Sequence, residues 1–354
     1  MKDNNNINLF LASISPFKEI NTVDNEEKKI TGKNFVTWGS NNDYPTFLLD
    51  CYNNCATLQS IINATCDYVV GDEVTSIKNV INTKAETMRE LIQKITMDYL
   101  IFGAFAIQVI KNYAGNVSEI YWVDVSKLRS DEKNEIFYYS DDWSKSYGRV
   151  KTLQYPKFNP DDDNAISIFY FKGNKTRTTY SVPMWNACVS NVAIDIQITE
   201  FHKNELNNNF SGSKLISFNN GTPDDTLKLE IEKNLTEKFS GSENAGRIMI
   251  SFADSRDNAP EVISLASDDF DSRYETLEKR NKEQIFVAFR ATPLLFGLVS
   301  ESNGFSTNEY KDSYKLFNKT VVTPIQNDIK KSFDKIFGVE NSVTISPFTI
   351  IFDE

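Results

Sequence analysis

Between Ser181 and Gly338 the chain reads as a helix leaving a body, a small mixed module, and a second helix coming back. Ser181-Val-Pro183 opens the first helix, with proline where a helix start tolerates it. Trp185, Val189, Val192, Ile196 and Phe201 then recur at helical spacing as far as the Asn207-Asn-Asn-Phe-Ser-Gly212 stop. A helix from Trp185 to Asn209 would be roughly 37 Å long. The module that follows, Lys214 to Leu265, predicts a strand at Lys214 to Phe218, a helix from Asp224 to Phe239, and strands at Arg247 to Phe252 and Glu261 to Leu265. About fifty residues are marginal for a domain standing alone, so pairing with neighbouring copies is expected. The returning helix starts behind Ser267, and ten of the residues from Asp268 to Glu283 are charged. It keeps a narrow apolar stripe, Phe270, Tyr274 and Leu277, and is expected to face solvent or to lie between subunits and a wet channel. Two helices with a module at their far end make a stalk rather than a closed pocket. That shape suits a ring of subunits about an axis and points away from an enzyme.

The rest of the chain predicts an α+β body. Residues 1–35, rich in Asn, Asp and Lys, read as an arm. A turn cluster, Trp38-Gly-Ser-Asn-Asn-Asp-Tyr-Pro45, leads into one helix carrying Phe47, Leu48, Tyr52, Cys55, Leu58, Ile61 and Ile62. A second amphipathic helix, Glu86 to Leu100, runs into a hairpin of Gly103 to Lys111 and Val117 to Val125 around Asn112-Tyr-Ala-Gly-Asn116. Further strands are expected at Glu135 to Tyr139, Gly148 to Tyr155 and Ala165 to Lys172. The run Asp161-Asp-Asp163 offers carboxylates to a cation, but without a framing glycine a solvated loop is the simpler reading. Ser306-Thr-Asn-Glu309 is a capping box, with Phe305 and Tyr310 placed as its hydrophobic staple. The helix behind it should bend at Pro324 and stop at Gly338, before a closing strand from Ser342 to Phe352.

Several functions are disfavoured. A net charge of −11 argues against gripping nucleic acid over the whole surface. It is compatible with an acidic wall past which a polyanion slides, helped by a few local basic groups. Tyr99 to Ile110, the most apolar stretch, is too short to span a bilayer, and the N-terminus lacks a signal-peptide pattern, so a cytoplasmic product is expected. Cys51, Cys55, Cys66 and Cys188 form no Cys-x-x-Cys pair, and His202 is the only histidine. Small buried thiols fit better than a zinc site, and no metal or cofactor is expected. Phosphate-cradling and nucleophile-elbow motifs are missing, and a triad would need His202 in mid-helix. No acidic pair stands out for a carboxylate-dependent nuclease or hydrolase.

The order of segments resembles the portal proteins of tailed bacteriophages. The matching residues are Asn41-Asn-Asp-Tyr-Pro45, Phe210-Ser-Gly at the end of the first stalk helix, and Phe239-Ser-Gly-Ser-Glu-Asn-Ala-Gly-Arg247. Glu283-Gln-Ile-Phe-Val-Ala-Phe-Arg-Ala-Thr-Pro-Leu-Leu-Phe-Gly297 and the Gly304-Phe-Ser helix start follow in the same order. The likeness runs from about Phe35 to Gly338. It implies a closed ring at one capsid vertex, usually of twelve copies, through which double-stranded DNA is packaged and ejected. It implies an arm over 1–35, a wing over 36–180, stem helices over 181–212 and 267–290, and a clip over 213–266. A tunnel-loop region over 291–305, a C-terminal wing helix over 306–338 and a short tail over 339–354 complete it, with the helical crown reduced or absent. Leu298, Ser300, Asn303, Gly304 and Phe305 would line the channel with the basic Lys279, Arg280 and Lys282. For the three basic residues, ordinary helix pairs such as Glu275 with Lys279 and Glu278 with Lys282 are an equal alternative. Asn219, Asn220, Asp224, Arg256 and Asp257 of the clip would meet docking partners. Those implied are the terminase, which hydrolyses the ATP, the capsid and scaffold proteins, and the head–tail adaptor. The product would be made in the host cytoplasm and reside in the virion. A tail or baseplate scaffold is the competing assignment.

Overall fold

The structure, a computed structural model, describes residues 23–29, 34–144, 151–173, 178–207, 214–218, 226, 248–252, 270–296 and 307–350. The chain divides into two compact units. One comprises Met1–Asn21 and Ile194–Glu278, the other Thr22–Ala193 and Lys279–Glu354. The architecture is α+β, as the sequence predicts.

In the larger unit the core is made by helices α2 (Ala56–Val70) and α3 (Met88–Phe102) and the antiparallel sheet β3-β2-β7. Strand β2 (Ala104–Lys111) is central, with β3 (Val117–Val123) and β7 (Ile166–Lys172) on either side. Its first four residues are wholly buried, so it reads as a continuous apolar run rather than an alternation. α3 starts with a capping box: the Thr87 hydroxyl accepts from the Glu90 amide, and the Glu90 carboxylate accepts from the Thr87 amide at 2.7 Å. It stops at Gly103, whose φ of +76° needs glycine. A Cβ there would also fall 2.2 Å from the Val182 carbonyl oxygen. Trp185, fully buried, donates its indole N–H to the Leu100 carbonyl at 3.0 Å. The lead-in to the next helix, α4 (Val189–Asn207), is thereby fastened to the end of α3. Trp185 itself is in the tight turn ahead of α4, not on the helix.

A second antiparallel sheet orders β4 (Leu128–Ser130), β5 (Ile136–Tyr139) and β6 (Leu153–Pro156). A two-stranded sheet pairs β1 (Val74–Ser76) with β10 (Val343–Ile345). The Asn41-Asn-Asp-Tyr-Pro45 motif packs against the second sheet. Asn42 sits at φ +64°, is buried, and accepts the Trp38 amide on its side-chain oxygen at 3.1 Å. The same oxygen accepts from the buried Arg129 Nε, and the Asn42 carbonyl accepts from Arg129 Nη2 at 3.0 Å. Arg129 also donates to the Ser126 and Leu128 carbonyls and lies over the Trp38 and Trp143 rings. Trp38 stacks on Tyr180 with centroids 4.6 Å apart. Charge-assisted bonds and ring faces thus compensate a guanidinium removed from water.

Several expectations need correction. The single helix after Pro45 is two, α1 (Tyr44–Asn54) and α2, because Cys55 turns extended (φ −104°, ψ 105°) and its sulfur accepts the Leu58 amide as an N-cap. Cys51 and Cys55 therefore do not share a helix face. Strand β6 starts at Leu153, and β4 is an addition to the expected strands; β1 lies in the extended piece that the sequence predicts after Tyr68-Val-Val-Gly71. The closing strand is only Val343–Ile345; residues 346–350 run on without a sheet partner. Part of the expected arm is tied to the body: the Glu27 carboxylate accepts the Thr179 and Tyr180 amides, and Asp24 accepts from Ser40. The C-terminal helix changes its hydrogen-bond pattern just ahead of Pro324, where a bend was expected. α6 (Thr307–Phe317) passes through a π-turn, Asn318–Val322, into α7 (Thr323–Phe337). Pro324, which has no N–H to give, falls in the first turn of α7, directly after the π-turn. Gly338 ends α7 at φ +68°.

In the smaller unit the described strands β8 (Lys214–Phe218) and β9 (Ile248–Phe252) pair in parallel. Parallel pairing demands a crossover between them, consistent with the helix expected over Asp224 to Phe239, most of which lies outside the described residues. The strand at Glu261 to Leu265 and the capping Ser306 also lie outside them.

Candidate nucleic-acid interface and its anchorage

α5 (Phe270–Ala288) is the returning stem helix of the sequence reading. Its buried side is carried by Asn281, Ile285 and Phe289, four residues apart, with Phe286 beside them. Leu277, expected in the apolar stripe, is 42% exposed, and Val287 65%. Asn281 accepts from the Asn191 side-chain amide of α4 at 2.9 Å, so the two helices are joined by a polar pair where leucines would be commoner. Lys279 and Arg280 are exposed and Lys282 is half-buried. Lys279 stands about half a turn and Arg280 a little over a quarter turn from Asn281. Long cationic side chains so placed are available to a polyanion. The other proposed channel residues, Leu298, Ser300, Asn303, Gly304 and Phe305, lie outside the described residues, as do Asn219, Asn220, Asp224, Arg256 and Asp257 of the clip.

What the structure does show is how the segments flanking residues 297–306 are held. Before them, Pro293–Phe296 forms a short 3-10 turn; after them, α6 begins at Thr307. Both pack on one side chain, Tyr68 of α2. Its ring lies 6.4 Å from Phe296, 5.7 Å from Tyr314 and 6.0 Å from Phe317, centroid to centroid. Phe296 and Phe317 meet edge to face at 5.8 Å, and Phe286 of α5 stands 5.7 Å from Phe296. The Tyr68 hydroxyl donates to the Leu295 carbonyl at 3.2 Å. Burial, and then a hydrogen bond with Tyr310, push its phenol well above the ordinary tyrosine value, so it stays a neutral donor.

The C-terminal segment closes the same cluster. Phe348 meets Tyr68 edge to face at 5.1 Å, and the Tyr314 hydroxyl donates to the Phe348 carbonyl. Ser346 donates its amide to the Glu73 carbonyl at 2.8 Å, and Thr349 donates to the Asp72 carboxylate at 2.9 Å. Gly71 makes this approach feasible: at φ +66°, a Cβ would fall 1.9 Å from the Ser346 carbonyl oxygen. In the sequence Tyr68 is only one of the apolar positions near a helix end. Its partners come from positions up to 280 residues away, and no local pattern signals them.

Elsewhere, a groove of about 600 Å³ runs along α3, lined by Lys84, Glu86, Glu90, Lys94, Asp98 and Trp122 among others. Buried Asp98 accepts the Trp122 indole N–H at 2.8 Å, and burial raises its carboxyl well above the ordinary value. Among the described residues no group of three or more His, Cys, Asp or Glu side chains is arranged to hold a metal ion. His202 is exposed on α4. All four cysteines are free and buried. No helix of the described residues is long and apolar enough to cross a membrane.

The described elements are a mixed helix-and-sheet body and a second, smaller unit. The phage portal protein family model matches residues 73–349, and the chain belongs to that family. It is thereby a virion component, the subunit of a portal ring at a capsid vertex. A chain from the neck of an empty gene transfer agent particle has the same fold, with TM-score 0.53 at 14% identity, covering 86% of this chain and 84% of that one. An HK97 family phage portal protein from Corynebacterium diphtheriae matches with TM-score 0.49 at 10% identity, over 81% of this chain and 88% of that one. No curated protein matches.

Proposed function

We propose that this portal subunit closes into a ring, of twelve copies by the family resemblance, whose axis is a conduit for double-stranded DNA during packaging and ejection. The family match, over more than three quarters of the chain, carries the reading. Residues 36–180 and 306–338 serve as the wing, 181–212 and 267–290 as the stem, and 213–266 as the clip on which terminase and later the head–tail adaptor dock. Capsid and scaffold proteins surround the ring, and the chain is made in the host cytoplasm. Lys279, Arg280 and Lys282 meet the phosphate backbone from the stem, and Leu298 to Phe305 from the tunnel loop; Asn219, Asn220, Asp224, Arg256 and Asp257 face the docking partners. Exposure of Lys279 and Arg280 on α5 supports the stem assignment. The chain does no catalysis of its own in this reading.

Negative-stain electron microscopy with mass photometry tests the ring. A ring of about twelve copies with a central hole is the expected result; a compact dimer or tetramer without a hole overturns the proposal. Shortening Leu298 to Phe305 tests the loop: rings should still assemble while DNA packaging or retention is impaired. Loss of the ring would refute that assignment.

A further inference from the structure

The acidic run at 161–163 points to a cation, and the structure supplies one from within the chain. Lys111 ends β2, where the register with β3 shifts between Ile110 and Lys111. The extra residue, Ser118, is on β3, so the alternation of β2 runs unbroken to Lys111. Lys111 continues the buried odd-numbered face of Phe105, Ile107 and Val109 and is itself only 8% exposed. Its ammonium donates to three backbone carbonyls of one loop: Asn159 at 3.0 Å, Pro160 at 2.8 Å and Asp162 at 2.6 Å. The Phe158 ring covers it at 5.5 Å from the centroid. The loop is pre-shaped for this by its own bonds: Asn159 donates to the Asp162 carboxylate at 3.0 Å and accepts the Asp161 amide at 3.2 Å. Strands on either side hold its ends, through Phe158 to the Ile168 carbonyl and Lys111 to the Ala165 carbonyl.

We propose that residues 158–162 form a binding site for a small monovalent cation of the ammonium or potassium class, and that the tethered ammonium of Lys111 is its resident occupant. Three convergent carbonyls under an aromatic face are the chemistry that replaces the hydration shell of such an ion. Calcium takes about six to eight oxygens at about 2.3–2.6 Å, a larger and tighter set than this loop offers. The carboxylates of Asp161, Asp162 and Asp163 stay on exposed residues and add negative potential around the site without filling it.

The test is chemical rescue in the full chain. Lys111→Ala removes the occupant and leaves room for a free one. It should melt below the wild type. Ammonium or methylammonium chloride should raise its melting temperature saturably and restore hydrogen-exchange protection at residues 158–163. Tetramethylammonium at equal ionic strength should do neither, and the wild type should not distinguish the salts. If ammonium moves the variant no more than tetramethylammonium does, the proposal is overturned. Should Lys111→Ala not fold, acetylation of the wild type with mass-spectrometric readout decides. Lys111 should remain unmodified while exposed Lys133 and Lys279 react, and modification of Lys111 at their rate overturns the proposal.

Discussion

Tyr68 gathers four aromatic rings from three separate parts of the chain, and its removal should show in both stability and function. Tyr68 is 7% exposed. Truncating a buried aromatic to alanine costs about 3–5 kcal/mol, through lost transfer free energy and the cavity left behind. At about 2–4 °C per kcal/mol for a unit of this size, Tyr68→Ala should lower the melting temperature by roughly 10 °C. Tyr68→Phe keeps every ring contact and loses the hydroxyl bonds to Leu295 and Tyr310, a cost of about 1–2 kcal/mol. The ring contacts are separable from bulk burial by a double-mutant cycle. Tyr68→Leu and Phe348→Leu should couple by about 1 kcal/mol, since the two rings meet at 5.1 Å. Calorimetry of the four proteins measures this, and packaged-DNA retention in assembled particles reports the function. Retention should fall in Tyr68→Leu and Phe348→Leu and be near wild type in Tyr68→Phe. Additive stabilities within about 0.3 kcal/mol would refute the account of the cluster as one unit.

Two further outcomes are expected. Gly103→Ala and Gly115→Ala share a left-handed φ, but only the first meets a backbone atom, so calorimetry should show about 1 kcal/mol lost at Gly115 and about 3 kcal/mol or more at Gly103; equal losses would refute the close approach to Val182. Asp98 is protonated in the folded protein at pH values where the unfolded chain, with its ordinary carboxyl near 3.8, is ionised. The folded state then holds the extra proton, so this group's contribution is full below that value and is lost as pH rises above it. Asp98→Asn should therefore gain on the wild type as pH rises above about 4 in a melting series, and a gap that narrows instead would reverse the sign of the argument.

Much of the fold is legible because its signals are local. Asn112 to Asn116 announces the β2–β3 hairpin, and Gly338 marks the end of the last helix. The capping box at Thr87 and Glu90 is an equally local signal. What the sequence concealed is long-range. β1 pairs with β10 across some 270 positions, and a three-residue strand shows no alternation without its partner. The break at Cys55 is hidden because the apolar spacing continues across it and a thiol is an uncommon cap. Arg129 reads as an ordinary surface residue until Asn42, Ser126 and Leu128 are placed around it.

The buried thiols have a practical consequence. Desolvation, aided by Asp50 and Cys188, pushes Cys51 up to about 12; burial and Asp67 push Cys66 to about 12, and burial pushes Cys188 to about 11. Only the thiolate is nucleophilic, so at neutral pH these side chains carry about 300-fold to 3,000-fold less reactive form than an exposed cysteine near 8.5. Cys55, 1% exposed, is shielded by burial. The chain is therefore expected to react with maleimides as a nearly thiol-free background. A single cysteine introduced at Lys279 or Arg280 would take a fluorophore or cross-linker selectively, and every copy in an assembly could be marked without first stripping the core.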